Sequence, residues 1–261
     1  MSDYLHQKGG LLLSTLTESA RSSSVEIDGL RRSFGERAVL DGISLRIGRG
    51  ELFGLLGPSG SGKTTLIKLV TGIDRADAGE VRLLGEKMPK LAMLQRFGYM
   101  AQSDALYNEL TARENLLFFA SLYRLSGRKR QERIEAVMAL VDLTPHLNKP
   151  VAAYSGGMKR RLSLAISLLH EPELLILDEP TVGIDPALRQ SIWKELAALR
   201  DGGTTIILTT HVMDEADKCD RIALLRDGRL TAVGSPDALK AESGTQTIED
   251  AFIALGGGAQ R

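Results

Sequence analysis

The chain has 261 residues, and its hydrophobic content of 43% is sufficient to fill the core of one large α/β domain or of two small ones. Its 33 Lys and Arg residues balance 33 Asp and Glu residues, and a net charge of zero gives no long-range field to attract nucleic acid or an anionic membrane surface. The single cysteine, Cys219, excludes an internal disulfide, and four histidines provide no Cys/His pattern at zinc spacing, as is typical of a reducing, cytoplasmic setting.

Residues 1–24 are rich in Ser, Thr, Gly and charge and show no clear periodicity, so we expect a flexible N-terminal tail. Short apolar stretches bounded by Gly and charged turns follow near 25–31, 43–47 and 51–56, which predicts a β-rich start. The apolar runs of the chain stop far short of the ~20 residues that a membrane span needs, and no signal-peptide pattern opens the chain. We therefore expect a protein that does not cross a bilayer by itself.

Helical periodicity dominates from about 103 to 165, which predicts a helical subdomain inserted into an α/β frame. Apolar residues recur there at i, i+3, i+4 and i+7, as in Ile134, Val137, Met138 and Val141. The continuous apolar run 174–177 is typical of a strand buried on both faces of a parallel sheet, and 205–208 has the same character. A helix over 186–200, with Pro186 in its first turn, joins the two strands into a βαβ unit. We predict a helical extension over 236–261.

A phosphate-binding loop follows the strand predicted at 51–56 and opens a helix. It matches GxxxxGK followed by Ser or Thr, and the predicted binding residues are Gly57, Pro58, Ser59, Gly60, Ser61, Gly62, Lys63, Thr64 and Thr65. The glycines let backbone N–H groups surround phosphate oxygens, Lys63 adds a point charge, and Thr64 offers a hydroxyl to Mg²⁺. A surface turn is the alternative, but a chance match in a chain of this composition is on the order of 1%.

The loop alone is compatible with kinases, GTPases and many ATPases. A GTPase would carry an Asn-Lys-x-Asp base reader, but Asn148 and Lys149, the one Asn-Lys pair, are followed by Pro150 and Val151. The sequence therefore argues against a GTPase and leaves kinases and ATPases open.

A second group of residues distinguishes these classes. The signature segment, residues 154–158, reads Tyr-Ser-Gly-Gly-Met and precedes an amphipathic helix that we expect to begin near Lys159. The apolar run 174–177 then ends in Asp178, Glu179 and Pro180. In this order the motifs resemble the nucleotide-binding domain of ABC transporters over roughly residues 25–235. The resemblance implies an α/β P-loop NTPase core with a mainly parallel sheet, an antiparallel β-flank and an inserted helical subdomain.

The resemblance also implies roles for individual residues. Asp178 matches the Walker B aspartate, which holds Mg²⁺ through water, and Glu179 matches the general base. Gln102 matches the Q-loop residue that senses Mg²⁺ and the attacking water, and His211 matches the switch histidine at the γ-phosphate. Residues 182–185 resemble the D-loop at the dimer seam, with Asp185 among the nucleotide-binding positions.

Two further features follow the family pattern. Ser155, Gly156 and Gly157 at a helix start offer a second anion-binding surface, which in the family acts on the ATP of the partner copy. Phe34 sits where the family has an aromatic ring stacked on adenine, and the alternative is a ring in the core. The cations 159–161 are either a solvated basic face or charge that offsets phosphate.

The signature segment departs from the commonest family sequence at Tyr154 and Met158, and with the following Lys-Arg-Arg it is similar to ABC-2-type exporter ATPases. The resemblance implies an ATPase that binds ATP and Mg²⁺, pairs with a second copy of itself and drives a separate ABC-2-type permease from the cytoplasmic side of the membrane. The cargo would be a drug, lipid or polysaccharide, and residues 103–110, with Leu106 and Tyr107, would contact the permease unless they form an ordinary loop. A soluble macromolecule-remodelling ABC protein and a P-loop kinase are the alternatives.

Overall fold

The computed structural model describes residues 23–256. The strands are β1 (Ser23–Phe34), β2 (Arg37–Gly48), β3 (Leu52–Leu56), β4 (Ala78–Leu83), β5 (Glu86–Lys87), β6 (Phe97–Met100), β7 (Leu174–Asp178), β8 (Thr205–Thr210), β9 (Arg221–Arg226) and β10 (Arg229–Gly234). The α-helices are α1 (Lys63–Thr71), α2 (Ala112–Leu122), α3 (Gly127–Leu140), α4 (Gly156–Ser167), α5 (Pro186–Asp201), α6 (Met213–Ala216), α7 (Pro236–Ser243) and α8 (Ile248–Leu255).

The strands form two sheets. A six-stranded sheet has the order β10-β9-β3-β8-β7-β6, in which only the edge strand β10 runs antiparallel to its neighbour among the described residues. A four-stranded antiparallel sheet has the order β2-β1-β4-β5. This is the arrangement that the sequence predicts, with a mainly parallel sheet beside an antiparallel flank.

The central parallel strands bury both faces, which accounts for their continuous apolar sequences. Because side chains alternate along a strand, Leu175 and Leu177 of β7 enter the core shared with the helical subdomain. Leu174 and Ile176 enter the opposite core, which is shared with α1 and the antiparallel sheet. The sheet is therefore held on two sides, and the residues at the carboxyl ends of its strands have a rigid base.

The helical subdomain, α2 to α4, lies between β6 and β7 in the chain. Thr111 caps α2 with a capping box, in which Glu114 N–H donates to the Thr111 hydroxyl and the Glu114 carboxylate accepts from Thr111 N–H. The signature helix α4 begins at Gly156, three residues before the predicted start at Lys159. The reason is that the Ser155 hydroxyl accepts a hydrogen bond from Met158 N–H at 3.3 Å, which makes Ser155 the N-cap.

The predicted N-terminal tail and C-terminal extension lie only partly within the described residues. β1 begins at Ser23, two residues before the predicted strand start at Val25, and residues 1–22 of the predicted tail lie outside the described residues. α7 and α8 fall within the predicted extension, whose residues 257–261 also lie outside the described part. No helix within residues 23–256 is long and apolar enough to span a membrane.

Candidate active site

A cavity of about 380 Å³ lies where the β1–β2 turn, the loop before α1 and the carboxyl ends of β6 and β7 meet. It is lined by Phe34, Arg37, Val39, Ser59, Gly60, Gly62, Lys63, Thr64, Thr65, Gln102 and Glu179. Carboxyl ends of parallel strands are the usual place for ligands in open α/β sheets. Nine of these eleven residues are predicted site residues, and only Arg37 and Val39 are additions. In the sequence, the position of Arg37 and Val39 close to the predicted Phe34 was the one indication that they line the cavity.

The loop before α1 depends on glycine at two close approaches. A Cβ at Gly57 would lie 2.3 Å from the Leu225 carbonyl oxygen, and one at Gly62 would lie 2.8 Å from a Leu40 methyl carbon. Gly62 also has φ of +108°, which L side chains rarely adopt. Gly62 is the N-cap of α1 and contributes no side-chain cap, so the first N–H groups of the helix remain available to an anion.

Lys63 holds a buried charge at the centre of this loop. Its ammonium donates hydrogen bonds to the carbonyl oxygens of Gly57 at 2.7 Å and Pro58 at 3.1 Å, and only 7% of the residue is exposed. Burial lowers the pKa of the Lys63 ammonium, while the carboxylates of Glu179 and Asp178 oppose this shift. An anion entering the cavity would therefore meet a positive charge with few water molecules around it.

Glu179 is the point at which three separated segments meet. Its carboxylate accepts a hydrogen bond from the Gln102 amide at 3.3 Å and lies 3.2 Å from Nδ1 of His211. Its backbone N–H donates to the Thr209 hydroxyl at 3.0 Å, and its φ of +53° turns the chain sharply away from β7. Gln102 and Glu179 thus lie together on the cavity wall, whereas His211 contacts Glu179 without lining the cavity.

Asp178 is fully buried at the end of β7. One carboxylate oxygen accepts a hydrogen bond from the Thr209 hydroxyl, and the other has no hydrogen-bond partner among the described residues. A buried, unsatisfied carboxylate oxygen is costly unless a cation or water completes it. The chemistry of this group therefore fits a hard cation such as Mg²⁺. The sequence predicts Asp178 but gives no signal for Thr209.

Phe34 is half-exposed, at 51%, so the alternative that its ring belongs to the core is wrong. The ring lies at the end of the β1–β2 hairpin and lines the cavity, with the Arg32 guanidinium carbon 4.6 Å from its centroid. Such a cation–π contact orients an exposed ring.

The signature segment lies apart from the cavity of the same chain. Ser155 and Gly156 are exposed, and neither they nor Gly157 line the cavity. A Cβ at Gly157 would lie 3.1 Å from the Gly183 carbonyl oxygen, so the signature segment and the D-loop run close together. Asp185 of the D-loop also lies outside the cavity wall, and its carboxylate caps α5 by accepting from Leu188 N–H at 3.0 Å.

The three cations after the signature segment all contact protein acceptors. Lys159 donates to the Asn108 side chain at 2.8 Å, and Arg161 donates to the carbonyl oxygens of Val141 and Asp142 at 3.0 Å each. Arg160 is only 6% exposed and reaches into the interior. Arg160 therefore belongs neither to a solvated basic face nor to charge aimed at phosphate, because its guanidinium is directed by hydrogen bonds to backbone carbonyls that are distant in sequence.

Comparison with known proteins places these features in context. The ABC transporter family model matches residues 40–182. The chain is 44% identical over 239 residues to the Nod factor export ATP-binding protein I of Sinorhizobium fredii, covering 90% of this chain and 70% of that protein. It is 42% identical over 230 residues to the daunorubicin resistance ATP-binding protein DrrA3 of Streptomyces coeruleorubidus, covering 87% and 73%.

A solved structure gives a matching fold. It is the dimeric, post-hydrolysis state of an ATP-binding cassette bound to ADP and Pi, and it matches with a TM-score of 0.75 at 27% identity. The match covers 81% of this chain and 98% of that one.

Proposed function

The chain belongs to the ABC transporter family as an ATP-binding subunit with ATPase activity, and from that premise we propose what it drives and how its residues act. Two copies close head to tail over two ATP molecules, and this closure drives a separate ABC-2-type permease from the cytoplasmic side of the membrane. The main support is one observation: the phosphate-binding loop, Phe34, Gln102 and Glu179 share a cavity that the signature segment of the same chain does not reach.

Head-to-tail pairing explains that separation. A single chain carries two phosphate-binding ends, the N-terminus of α1 in the cavity and the exposed N-terminus of α4 at Ser155. A symmetric dimer can bring the second end of one copy over the cavity of the other. The solved cassette that holds ADP and Pi is dimeric, which supports a pair of copies as the working unit.

In the proposed reaction Glu179 is the general base. Gln102 and His211 contact its two carboxylate oxygens, and Thr209 anchors its backbone N–H, so the carboxylate is held towards the cavity. Lys63 and the loop amides hold the phosphates, where the helix N-terminus stabilises the charge that develops during transfer. Proton removal from water by a positioned carboxylate supplies typically ~10² to 10⁴-fold in rate.

Mg²⁺ is the metal that this site fits, and we assign Asp178, Thr64 and Gln102 to it. The unpartnered oxygen of Asp178 supports the first assignment, and Thr64 follows Lys63 on the cavity wall. When bound, the metal neutralises phosphate charge. Thr209 holds the other Asp178 oxygen, which leaves the unpartnered one in a defined direction.

Loss of the aromatic ring in Phe34→Ala is expected to raise the Kd for ATP while phosphate binding persists. Base stacking is worth ~1–3 kcal/mol, so the expected rise is roughly 5- to 150-fold. Phe34→Tyr, which keeps the ring, should bind with near wild-type affinity, and GTP should compete with ATP because stacking does not read base edges. Isothermal titration measures each Kd, and an unchanged value for Phe34→Ala would remove the ring from the nucleotide site.

We propose that the permease binds an apolar groove of about 720 Å³ between β6 and the helical subdomain. Its lining includes Leu91, Leu94, Phe119, Leu122 and Tyr123, and Leu91 is 82% exposed. The segment 103–110 adjoins this groove through Ala105. Tyr107 is exposed and its ring packs edge-on against Phe118 at 5.0 Å, whereas Leu106 is packed against the core and anchors the segment.

Replacing Leu91 and Leu122 by Ser is expected to leave ATPase activity in solution unchanged but to weaken permease binding, because both are exposed groove residues. Ser at Val233 and Ile253, two exposed apolar residues outside the groove, is the control. The measurement is co-sedimentation with membranes from cells that coexpress a candidate ABC-2-type permease. Wild-type retention of the groove variant would rule out this surface, and sedimentation without any permease would contradict a permease-mediated membrane association.

A further inference from the structure

Arg160, the fifth residue of α4, donates hydrogen bonds to four backbone carbonyls on two strand ends. One terminal nitrogen, Nη1, donates to the carbonyl oxygens of Ala101 at 2.7 Å and Gln102 at 2.8 Å. The other, Nη2, donates to the carbonyl oxygens of Asp178 and of Glu179, the latter at 2.6 Å. Its side chain is 8% exposed and lies 3.7 Å from the Asp104 carboxylate.

These carbonyls lie where the sheet itself no longer joins the two strands. The ladder between β6 and β7 ends at the pair Met100 and Leu177. Gln102 and Glu179, whose side chains meet at the cavity, each come two residues after this last pair. Beyond the last ladder pair, the hydrogen bonds of Arg160 join both strand ends to the signature helix.

We propose that Arg160 is a positioning residue for ATP hydrolysis, which sets the place of the Gln102 amide and the Glu179 carboxylate by holding the ends of β6 and β7 against α4. The inference rests on the proposed function, since it takes Glu179 as the general base. Because the signature segment at the start of α4 acts on the partner's ATP in that proposal, Arg160 connects the contact with one nucleotide to the base that acts on the other.

The planar fork of arginine is what this position requires. Its two terminal nitrogens hold fixed directions and each serves one strand end, whereas a lysine ammonium is a single point of charge that cannot span both. Its burial is offset by peptide carbonyls and by Asp104, which keeps the charged form tolerable.

Arg133 provides a matched control. Its guanidinium donates to the carbonyl oxygens of Leu168 at 2.8 Å and Leu169 at 3.1 Å, and lies 3.3 Å from the Glu171 carboxylate. The chemistry is the same as that of Arg160, but neither strand end nor the cavity is involved. A guanidinium that merely supports the fold would behave alike at both positions.

The test compares Arg160→Lys with Arg133→Lys in ATP titrations, thermal melts and steady-state ATPase assays. We expect Arg160→Lys to lower kcat about 10²-fold, the typical cost of a misplacement of about 1 Å, with the nucleotide Kd within about twofold of wild type. Arg133→Lys should lower Tm comparably and keep kcat. Equal kcat for Arg160→Lys and Arg133→Lys would overturn the inference. If Arg160→Lys does not fold, Arg160→Gln, whose one amide can serve only one strand end, carries the same expectations.

A double-mutant cycle with Glu179→Gln separates this inference from the proposed function. In single-turnover assays Arg160→Lys should slow the Glu179→Gln enzyme by less than about tenfold, because no base remains to be positioned and only the placement of Gln102 is left to lose. A full multiplicative loss would overturn the positioning role while leaving the base assignment intact. A Glu179→Gln enzyme with the wild-type rate would instead overturn the proposed function itself and, with it, this inference.

Discussion

Glu179→Gln is expected to slow ATP turnover by roughly 10²- to 10⁴-fold, the usual contribution of general-base catalysis, while ATP binding survives. The amide preserves the volume of the side chain. Its oxygen can accept from Gln102 and its NH₂ can donate to Nδ1 of His211 in the tautomer that leaves this nitrogen unprotonated. The change therefore removes the base and retains the contacts of the site.

The same variant should accumulate as an ATP-bound dimer, whereas wild type stays largely monomeric after turnover. A ligand that binds only the closed state stabilises that state by mass action, and without hydrolysis the state persists. Lys63→Ala is the contrasting variant, since it removes the buried charge of the phosphate loop and should not dimerise with ATP at all. Size-exclusion chromatography with and without ATP and Mg²⁺ distinguishes the two. A monomeric Glu179→Gln protein with tightly bound ATP would argue against closure by this chain alone.

Ser155→Arg is expected to lower hydrolysis by at least about 10²-fold, the loss typical for removal of one electrostatic contact to a transition state. A monomer should still bind ATP, because Ser155 does not line the cavity of its own chain. Ser155 is also the N-cap of α4, and losing a cap costs ~1 kcal/mol. Ser235 caps α7 with a 3.2 Å bond of the same kind, so Ser235→Arg controls for that cost and should retain activity.

Mixing two inactive variants gives the sharper readout for this site. A head-to-tail dimer of one Ser155→Arg chain and one Lys63→Ala chain contains one site with an intact lysine from the first and an intact serine from the second. Turnover should therefore reappear in the mixture although each variant alone is inactive. Absence of turnover in mixtures whose mixed dimers are visible by native mass spectrometry would contradict a site shared between copies.

Local sequence determined the class of this protein and most of its site. The loop 57–64 is recognisable because its glycines meet local backbone requirements, as the φ of +108° at Gly62 demonstrates. The run 174–177 predicts a strand buried on both faces, because successive side chains of a strand point to opposite faces and every residue of this run is apolar. The ABC family, the fold class and the ATPase activity expected from these motifs are confirmed, while the domain boundaries and individual residue roles stay predictions.

Tertiary structure alone decided how these motifs meet. The contacts of Glu179 with Gln102 and His211 join residues 77 and 32 positions apart, and such distances depend on the order of the strands in the sheet. The side chain of Arg160 follows no local rule, because its four acceptors lie on two other elements. Sequence patterns indicate the interactions that a residue makes with its neighbours along the chain. The direction of a buried polar side chain is instead set by hydrogen-bond acceptors that are distant in sequence and that the packed fold leaves without another partner.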